Sequence, residues 1–144
     1  METSATRSLC PISQLLDLLG DRWSLLIIRD AVLFGKSRYS EFLAGDEGIS
    51  TNILAQRLKL LVAHGVLEKH PDPEDGKSFI YLPTDEGLAL LPVIVEILRW
   101  GVNTGRVPDE LDPPEFMRQL VVKGPDWFRK QRAAELAETR EQLT

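Results

Sequence analysis

Cysteine and histidine are nearly missing from this 144-residue chain, which has one of the former, Cys10, and two of the latter, His64 and His70. One thiol can close no internal disulfide, and three scattered soft ligands cannot make a zinc framework, so no metal or other cofactor is expected. Long apolar runs are missing too. The longest, residues 87–102, is interrupted by Pro92, Glu96 and Arg99 and cannot cross a bilayer. Residues 1–9 carry one arginine and no apolar stretch of the secretory kind, so a reducing cytoplasm is the expected location. No G-x-S-x-G elbow, H-E-x-x-H pair or phosphate-cradling glycine loop occurs, and no pair of acids stands in an apolar helical setting, so an enzyme is not expected.

What is present reads as one globular domain. Apolar residues make up 43% and charged residues 27%. The formal net charge of −5 argues at first against nucleic acid. It is unevenly placed, however. Residues 1–70 hold 8 basic and 8 acidic side chains, whereas residues 71–144 hold 9 and 14. Overall charge governs solubility and steering and cannot veto a local basic or neutral surface.

Pro11 suits a helix start, and Ile12, Leu15, Leu16 and Leu19 follow at helical spacing up to Gly20. Asp21 can cap a second helix, whose segment 25–28 is apolar all round and therefore expected to be buried. A short helix over 37–44 turns Tyr39, Phe42 and Leu43 inward. The turn at 45–48 leads through Ile49 to Ser50, the cap of a helix with Leu54, Leu58 and Leu61 inside and Gly65 at its end. Two β-prone runs, 66–70 and 79–82, flank the loop-forming string 71–77, which predicts an open-tipped hairpin. Thr84 caps a long helix through Leu88, Leu91, Ile94, Val95, Leu98 and Trp100. Beyond Gly105, the prolines at 108, 113 and 114 mark a linker before two further helices, 115–123 and 126–142, with a thin apolar stripe of Phe116, Leu120, Trp127, Phe128 and Leu136. The fold expected is mainly α with a small β-hairpin.

Short helix, tight turn, capped helix and hairpin, in that order, describe a winged helix-turn-helix, whose second helix enters a DNA major groove. Opposite the Leu54–Leu58–Leu61 stripe lie Asn52, Gln56, Lys59 and Ala63. Asn and Gln can bond adenine bidentately, lysine can reach guanine or phosphate, and alanine admits close approach. No acid occurs from Gly48 to Leu67 in a chain with 22 acids in 144 residues, as a surface facing phosphates requires. Lys36 and Arg38, at the start of the preceding helix, are candidates to hold a phosphate beside free N–H groups. Lys77 is the wing candidate, weakened by Glu74 and Asp75 beside it. Arg57 sits at the edge of the inward stripe, where a salt bridge to Glu41 and a phosphate contact are both open. With Ser40, Ser50 and Thr51 these residues form the candidate DNA-contacting set. An ordinary solvated helix face is the competing reading of Asn52, Gln56 and Lys59, and a protein-binding module is the competing use of the fold.

Several ordered motifs then coincide. Cys10-Pro11, the run Leu18-Leu19-Gly20-Asp21-Arg22-Trp23 continuing to Asp30, and Arg38-Tyr39-Ser40-Glu41-Phe42 are followed by Gly48-Ile49-Ser50, Leu54, Gln56-Arg57-Leu58, Leu61 and Gly65. Tyr81-Leu82-Pro83-Thr84-Asp85-Glu86-Gly87 and Trp100-Gly101 complete the set. Over about residues 8–104 the chain resembles the HxlR-type transcription regulators. The resemblance implies a bacterial homodimeric winged-helix regulator, with dimerisation helices at both ends of the domain and double-stranded DNA, a pseudo-palindromic operator, as partner. Residues 105–144 extend past it as a helical tail of unknown role.

Dimerisation has support from the residues as well, because the 84–101 helix is apolar over more than one core-facing stripe, although cover by the tail helices within one chain is the competing reading. The expected contact set is Ile12, Leu16, Leu91, Ile94, Val95 and Leu98. Cys10, as N-cap of the first helix, would lie at the positive end of the helix dipole, which favours thiolate, with Arg7 able to add to the effect. Some members of the resembled family sense oxidants or aldehydes through a cysteine at this place, so a redox role for Cys10 and an oxidant or small-molecule effector stay open. Trp23 and Trp100 are expected as packing anchors. Repression is the commoner outcome for a dimer seated on a promoter.

Overall fold

The computed structural model describes residues 8–108 and 115–144. Arg7, the linker prolines Pro113 and Pro114, and the side chain of Phe116 lie outside the described residues. Ten elements run in the order α1 (Pro11–Leu19), α2 (Ser24–Val32), α3 (Tyr39–Leu43), α4 (Thr51–Ala63), β1 (Leu67–Pro71), β2 (Phe79–Pro83), α5 (Asp85–Leu88), α6 (Leu91–Asn103), α7 (Glu115–Lys123) and α8 (Pro125–Leu143). The expected mainly helical fold with one antiparallel hairpin is what the chain adopts.

The core gathers where α2, α4 and the hairpin meet. Ile28, Ala31 and Val32 from α2 and Leu54, Leu58 and Leu61 from α4 are buried against Leu67, Ile80 and Leu82. Leu25 and Leu26, expected inside, are only half-buried, since they line an open hollow beside α6 and α7. Ser50 starts α4, its hydroxyl accepting the Ile53 amide at 3.3 Å. Such a cap contributes about 1 kcal/mol. Gly65 ends the helix in the left-handed region (φ 72°), which lets the Val66 amide turn back to the Leu61 carbonyl at 2.9 Å. The chain thereby leaves α4 directly into β1.

The hairpin pairs Leu67 with Pro83 through to Pro71 with Phe79. It is held to the helices by a one-residue bridge between Arg38 and Ile80, with the Tyr81 amide donating to the Ser37 carbonyl at 2.8 Å. At its root, Gly87 of α5 lies so close to the Val66 carbonyl that a Cβ there would stand 2.3 Å from the oxygen.

The long helix expected from Thr84 is divided. Thr84 does cap, accepting the Gly87 amide at 3.1 Å, but α5 ends at Leu88 and α6 begins at Leu91. Pro92 accounts for the break. It has no N–H for the Leu88 carbonyl four residues back, and its ring would collide with that oxygen. The division lets α6 set off in its own direction. The two tail helices form as expected, α8 beginning on Pro125 itself.

Gly87→Ala should destabilise the protein by about 1–3 kcal/mol in chemical denaturation, because the added methyl meets backbone rather than a movable side chain. Unchanged stability would show that α5 and the hairpin root can separate at no cost.

Candidate nucleic-acid interface

With its leucine stripe inside, α4 must turn the opposite side to solvent. Thr51, Asn52, Ala55, Gln56, Lys59 and Ala63 are all exposed. Among the described residues, no hydrogen bond or ion pair engages the side chains of Asn52, Gln56 or Lys59. The amide and ammonium groups are therefore available to an incoming partner. Tyr39 fixes the angle between α3 and α4, its hydroxyl donating to the Thr51 carbonyl at 2.9 Å. The Ser40 hydroxyl is exposed nearby, whereas Ser50 already serves as the cap.

Three of the expected phosphate-binding cations are not free. Lys36 Nζ lies 3.2 Å from Asp30, which also accepts from Arg29 at 2.8 Å. Arg38 donates through Nε to Asp72 at 2.9 Å and approaches Glu74 at 3.4 Å. The N–H groups proposed to join them are taken as well, because Glu41 accepts from the Arg38 and Ser37 amides at 3.0 and 3.4 Å. Arg57 pairs with neither Glu41 nor a free anion site but with Asp21, at 3.3 Å. The physical reason is common to all three. Folding brings buried or half-buried carboxylates from the α1–α2 turn, α2 and the wing loop to these cations.

These pairs tie the wing loop to α3 and the α1–α2 turn to α4. The Arg38 guanidinium, donating to Asp72, holds that carboxyl below its ordinary value, helped by the Glu74 amide. Asp72 is buried, so the pair pins the wing loop to the N-terminus of α3. Burial pushes the Asp21 carboxyl up, but the Ser24 hydroxyl, the Trp23 and Ser24 amides and Arg57 together bring it below its usual value. Asp21 thus caps α2 and grips α4 at once. The loop at the wing tip folds on itself, with Asp75 accepting from the Ser78 hydroxyl at 2.7 Å and the Lys77 amide at 3.1 Å. The Lys77 side chain stays exposed. Sequence reasoning gave Asp21 as a helix cap but missed its hold on Arg57, and it overlooked Asp72 altogether. The one available signal was that both stand in turn-forming strings.

The apolar residues assigned to a partner divide into two sets. Leu91 and Val95 are 0% and 5% exposed inside the chain's own core, which corrects their assignment to a contact surface. Ile94 and Leu98 are half-buried, whereas Ile12 and Leu16 are 70% and 56% exposed on α1, a helix with no buried residue. The two sides of α6 divide, Leu91 and Val95 packing inward while Val93, Ile97 and Trp100 face outward. Trp100, expected to anchor packing, is 59% exposed beneath the Arg106 guanidinium. Trp23 is half-buried under Arg22, whose carboxylate partner is Glu47. An apolar hollow of about 410 Å³ between α2, α6 and α7 opens onto the same face beside Ile97 and Trp100. Cys10 is exposed as the N-cap of α1, and its sulfur makes no capping hydrogen bond.

A capped helix with an uncommitted polar face, braced by a short helix before it and a hairpin after it, defines a winged helix-turn-helix of the nucleic-acid-reading kind. The HxlR-like helix-turn-helix family pattern matches residues 18–108, and the chain belongs to that family. It is 37% identical over 90 residues to the uncharacterised HTH-type transcriptional regulator Rv3095 of Mycobacterium tuberculosis, covering 62% of this chain and 56% of the relative. The chain thus spans little more than half the length of this relative. Among solved structures it is similar to PA1607, a candidate transcription factor, with a TM-score of 0.64 and 43% identity over 74% of this chain and 73% of that one. The reduced form of the transcriptional regulator YodB from B. subtilis aligns with a TM-score of 0.55 and 33% identity over 65% of this chain and 92% of YodB, which is also known in a diamide-treated form.

The Arg38–Asp72 pair sets a pH dependence. A carboxyl held below its unfolded value contributes stability above about pH 4, and that contribution disappears as pH falls through the folded value. Asp72→Asn should therefore be less stable than wild type at neutral pH, with the gap closing in acid. A gap of constant size from pH 3 to pH 7 would show that the ion pair is not its source.

Proposed function

We propose that this helix-turn-helix transcriptional regulator binds duplex DNA as a two-fold dimer, each α4 lying in a major groove, and represses transcription by occupying a pseudo-palindromic operator. The observation that carries the reading is the solvent face of α4, where Asn52, Gln56 and Lys59 have no partner among the described residues and no acid lies between Gly48 and Leu67. Gln56 and Asn52 read base edges, Lys59 reaches guanine or phosphate, and Ala55 and Ala63 let the backbone approach. Ser40, Thr51 and Lys77 contact the flanking backbone. Arg38 and Arg57 act by holding the wing and α4 in place.

The dimer is built from the apolar rows that the single chain leaves uncovered. Ile12, Leu15 and Leu16 on α1, with Leu9 just before it, and Val93, Ile97, Trp100 and Val102 on α6 are exposed. One winged helix offers few base contacts, and two related by a two-fold axis match half-sites about one helical turn, roughly 34 Å, or a multiple of it, apart. The relatives are named as regulators, which favours this reading over an enzyme. Work on a bacterial chromosome places the protein in the cytoplasm.

A second reading adds a redox gate. Cys10 is exposed at the start of α1, the helix that offers the dimer face, and YodB is known in reduced and diamide-treated forms. Oxidation at Cys10 would then shift α1 and change the spacing of the two reading helices. If Cys10→Ser left DNA affinity unchanged under both oxidant and reductant, this second reading would fall.

Selection of DNA sequences by the purified protein tests the main reading, with a palindromic consensus expected. Gln56→Ala should relax base preference at one position per half-site, at a cost of about 1–3 kcal/mol, and leave the others intact. Enrichment of no sequence would overturn it. Trp100→Glu with Ile12→Glu should give a monomer by light scattering at micromolar concentration. A dimer that survived both charges would refute this face.

A further inference from the structure

Residues 125–144 lie outside the stretch that matches the family pattern, yet they are locked to the DNA-reading domain at two points. Leu136 is 1% exposed, and Leu143 packs against the core. Near its middle, α8 sends Arg132 to the carbonyl of Ala31, close to the end of α2, at 3.3 Å. Two turns further on, Arg140 reaches the root of the hairpin. Its Nε donates to the Glu68 carboxylate on β1, and its second terminal nitrogen donates to the Pro83 carbonyl at the end of β2, at 2.8 Å. Glu68 pairs with Leu82, and Pro83 with Leu67, so one guanidinium straddles two adjacent rungs of the ladder and grips both strands.

That grip matters because a two-stranded hairpin has little stability of its own, and its direction is set by what holds it. The Arg38–Asp72 pair and the Ser37–Tyr81 bond hold it from the α3 side. On the opposite side, the described polar contacts between α8 and the hairpin root are those of Arg140. The fixed fork of a guanidinium suits two acceptors that differ in direction and belong to different strands. The other group facing the Glu68 carboxylate is His70 on the same strand, with its Nε2 at 3.5 Å. That contact cannot orient the hairpin, since both partners move with it.

We propose that Arg140 is a positioning residue for the wing, and that α8 acts as a brace fixing where the hairpin lies on DNA. The inference rests on the DNA-binding reading above and assigns the tail a part in it. Arg140 touches no DNA in this arrangement. It sets the affinity and extent of the wing contact through Glu68 and Pro83.

Hydroxyl-radical footprinting on the selected operator, together with hydrogen exchange of the free protein, tests the proposal. Arg140→Gln should lose protection only at the phosphates under each wing, at the outer edge of each half-site. Its affinity should fall by roughly tenfold, as for loss of a charge-assisted contact. The base preference read by Gln56 should not change. In the free protein, amides of 67–71 and 79–83 should exchange faster while those of α4 keep their wild-type rates. Glu68→Gln should produce a weaker form of the same pattern, because the Pro83 contact survives. Uniform fading of the whole footprint, or faster exchange in α4 as well, would mean that Arg140 serves general stability, and the proposal would fail. Unchanged footprint and wing exchange in Arg140→Gln would also overturn it while leaving DNA binding intact. A wild-type protein without any footprint would refute the DNA-binding reading, and this inference with it.

Discussion

The burial of one leucine stripe governs everything else in this molecule. Leu54, Leu58 and Leu61 give up almost all their accessible surface in the core that α4 shares with α3 and the hairpin, and at about 25 cal/mol per Å² this is the largest single commitment α4 makes. A helix so anchored cannot rotate about its axis without exposing leucine. The face carrying Asn52, Gln56 and Lys59 is therefore presented outward by the packing, not merely tolerated at the surface. Ser50 and Gly65 set the length of that face by starting and stopping the helix, and the turn at Gly65 delivers the chain straight into the wing.

Around this helix the charges are arranged as a frame. Asp21 joins the α1–α2 turn to α4 through Arg57, Asp72 joins the wing to α3 through Arg38, and Asp30 gathers Arg29 and Lys36. Removing one member of such a half-buried pair leaves the other charge without a partner, which costs more than the pair contributes when intact. The groups left open for a partner are polar and mostly neutral, with Lys59 and Lys77 as the exposed cations of the reading surface. A chain with net charge −5 can therefore present a local face that phosphates do not repel.

The order of helices, the caps at Ser50 and Thr84 and the outward stripe of α4 were legible in the amino-acid pattern, because each depends on residues within one or two helical turns. The destinations of the cations were not. Arg38 meets Asp72 across 34 residues and Arg140 meets Glu68 across 72, and nothing local distinguishes a cation with such a partner from a free one. The same limit explains the apolar assignments on α6. Leu91 and Val95 lie on one side of α6 and Val93 and Ile97 on the other, and which side turns inward is set by packing on α2 and α8. The tail helices could be placed along the chain, but their grip on the hairpin root depends on tertiary approach alone.

An uncommitted amide-and-ammonium face on α4 is proposed to read DNA as half of a symmetric pair. Binding of the selected operator and of a scrambled duplex, measured by fluorescence anisotropy across a salt series, tests it most directly. Log affinity should fall linearly with log salt for both duplexes, as counterions leave the phosphates, with the operator bound more tightly throughout by two chains per duplex. Equal affinity for the two sequences at every salt concentration, or no complex even at the lowest, would contradict it.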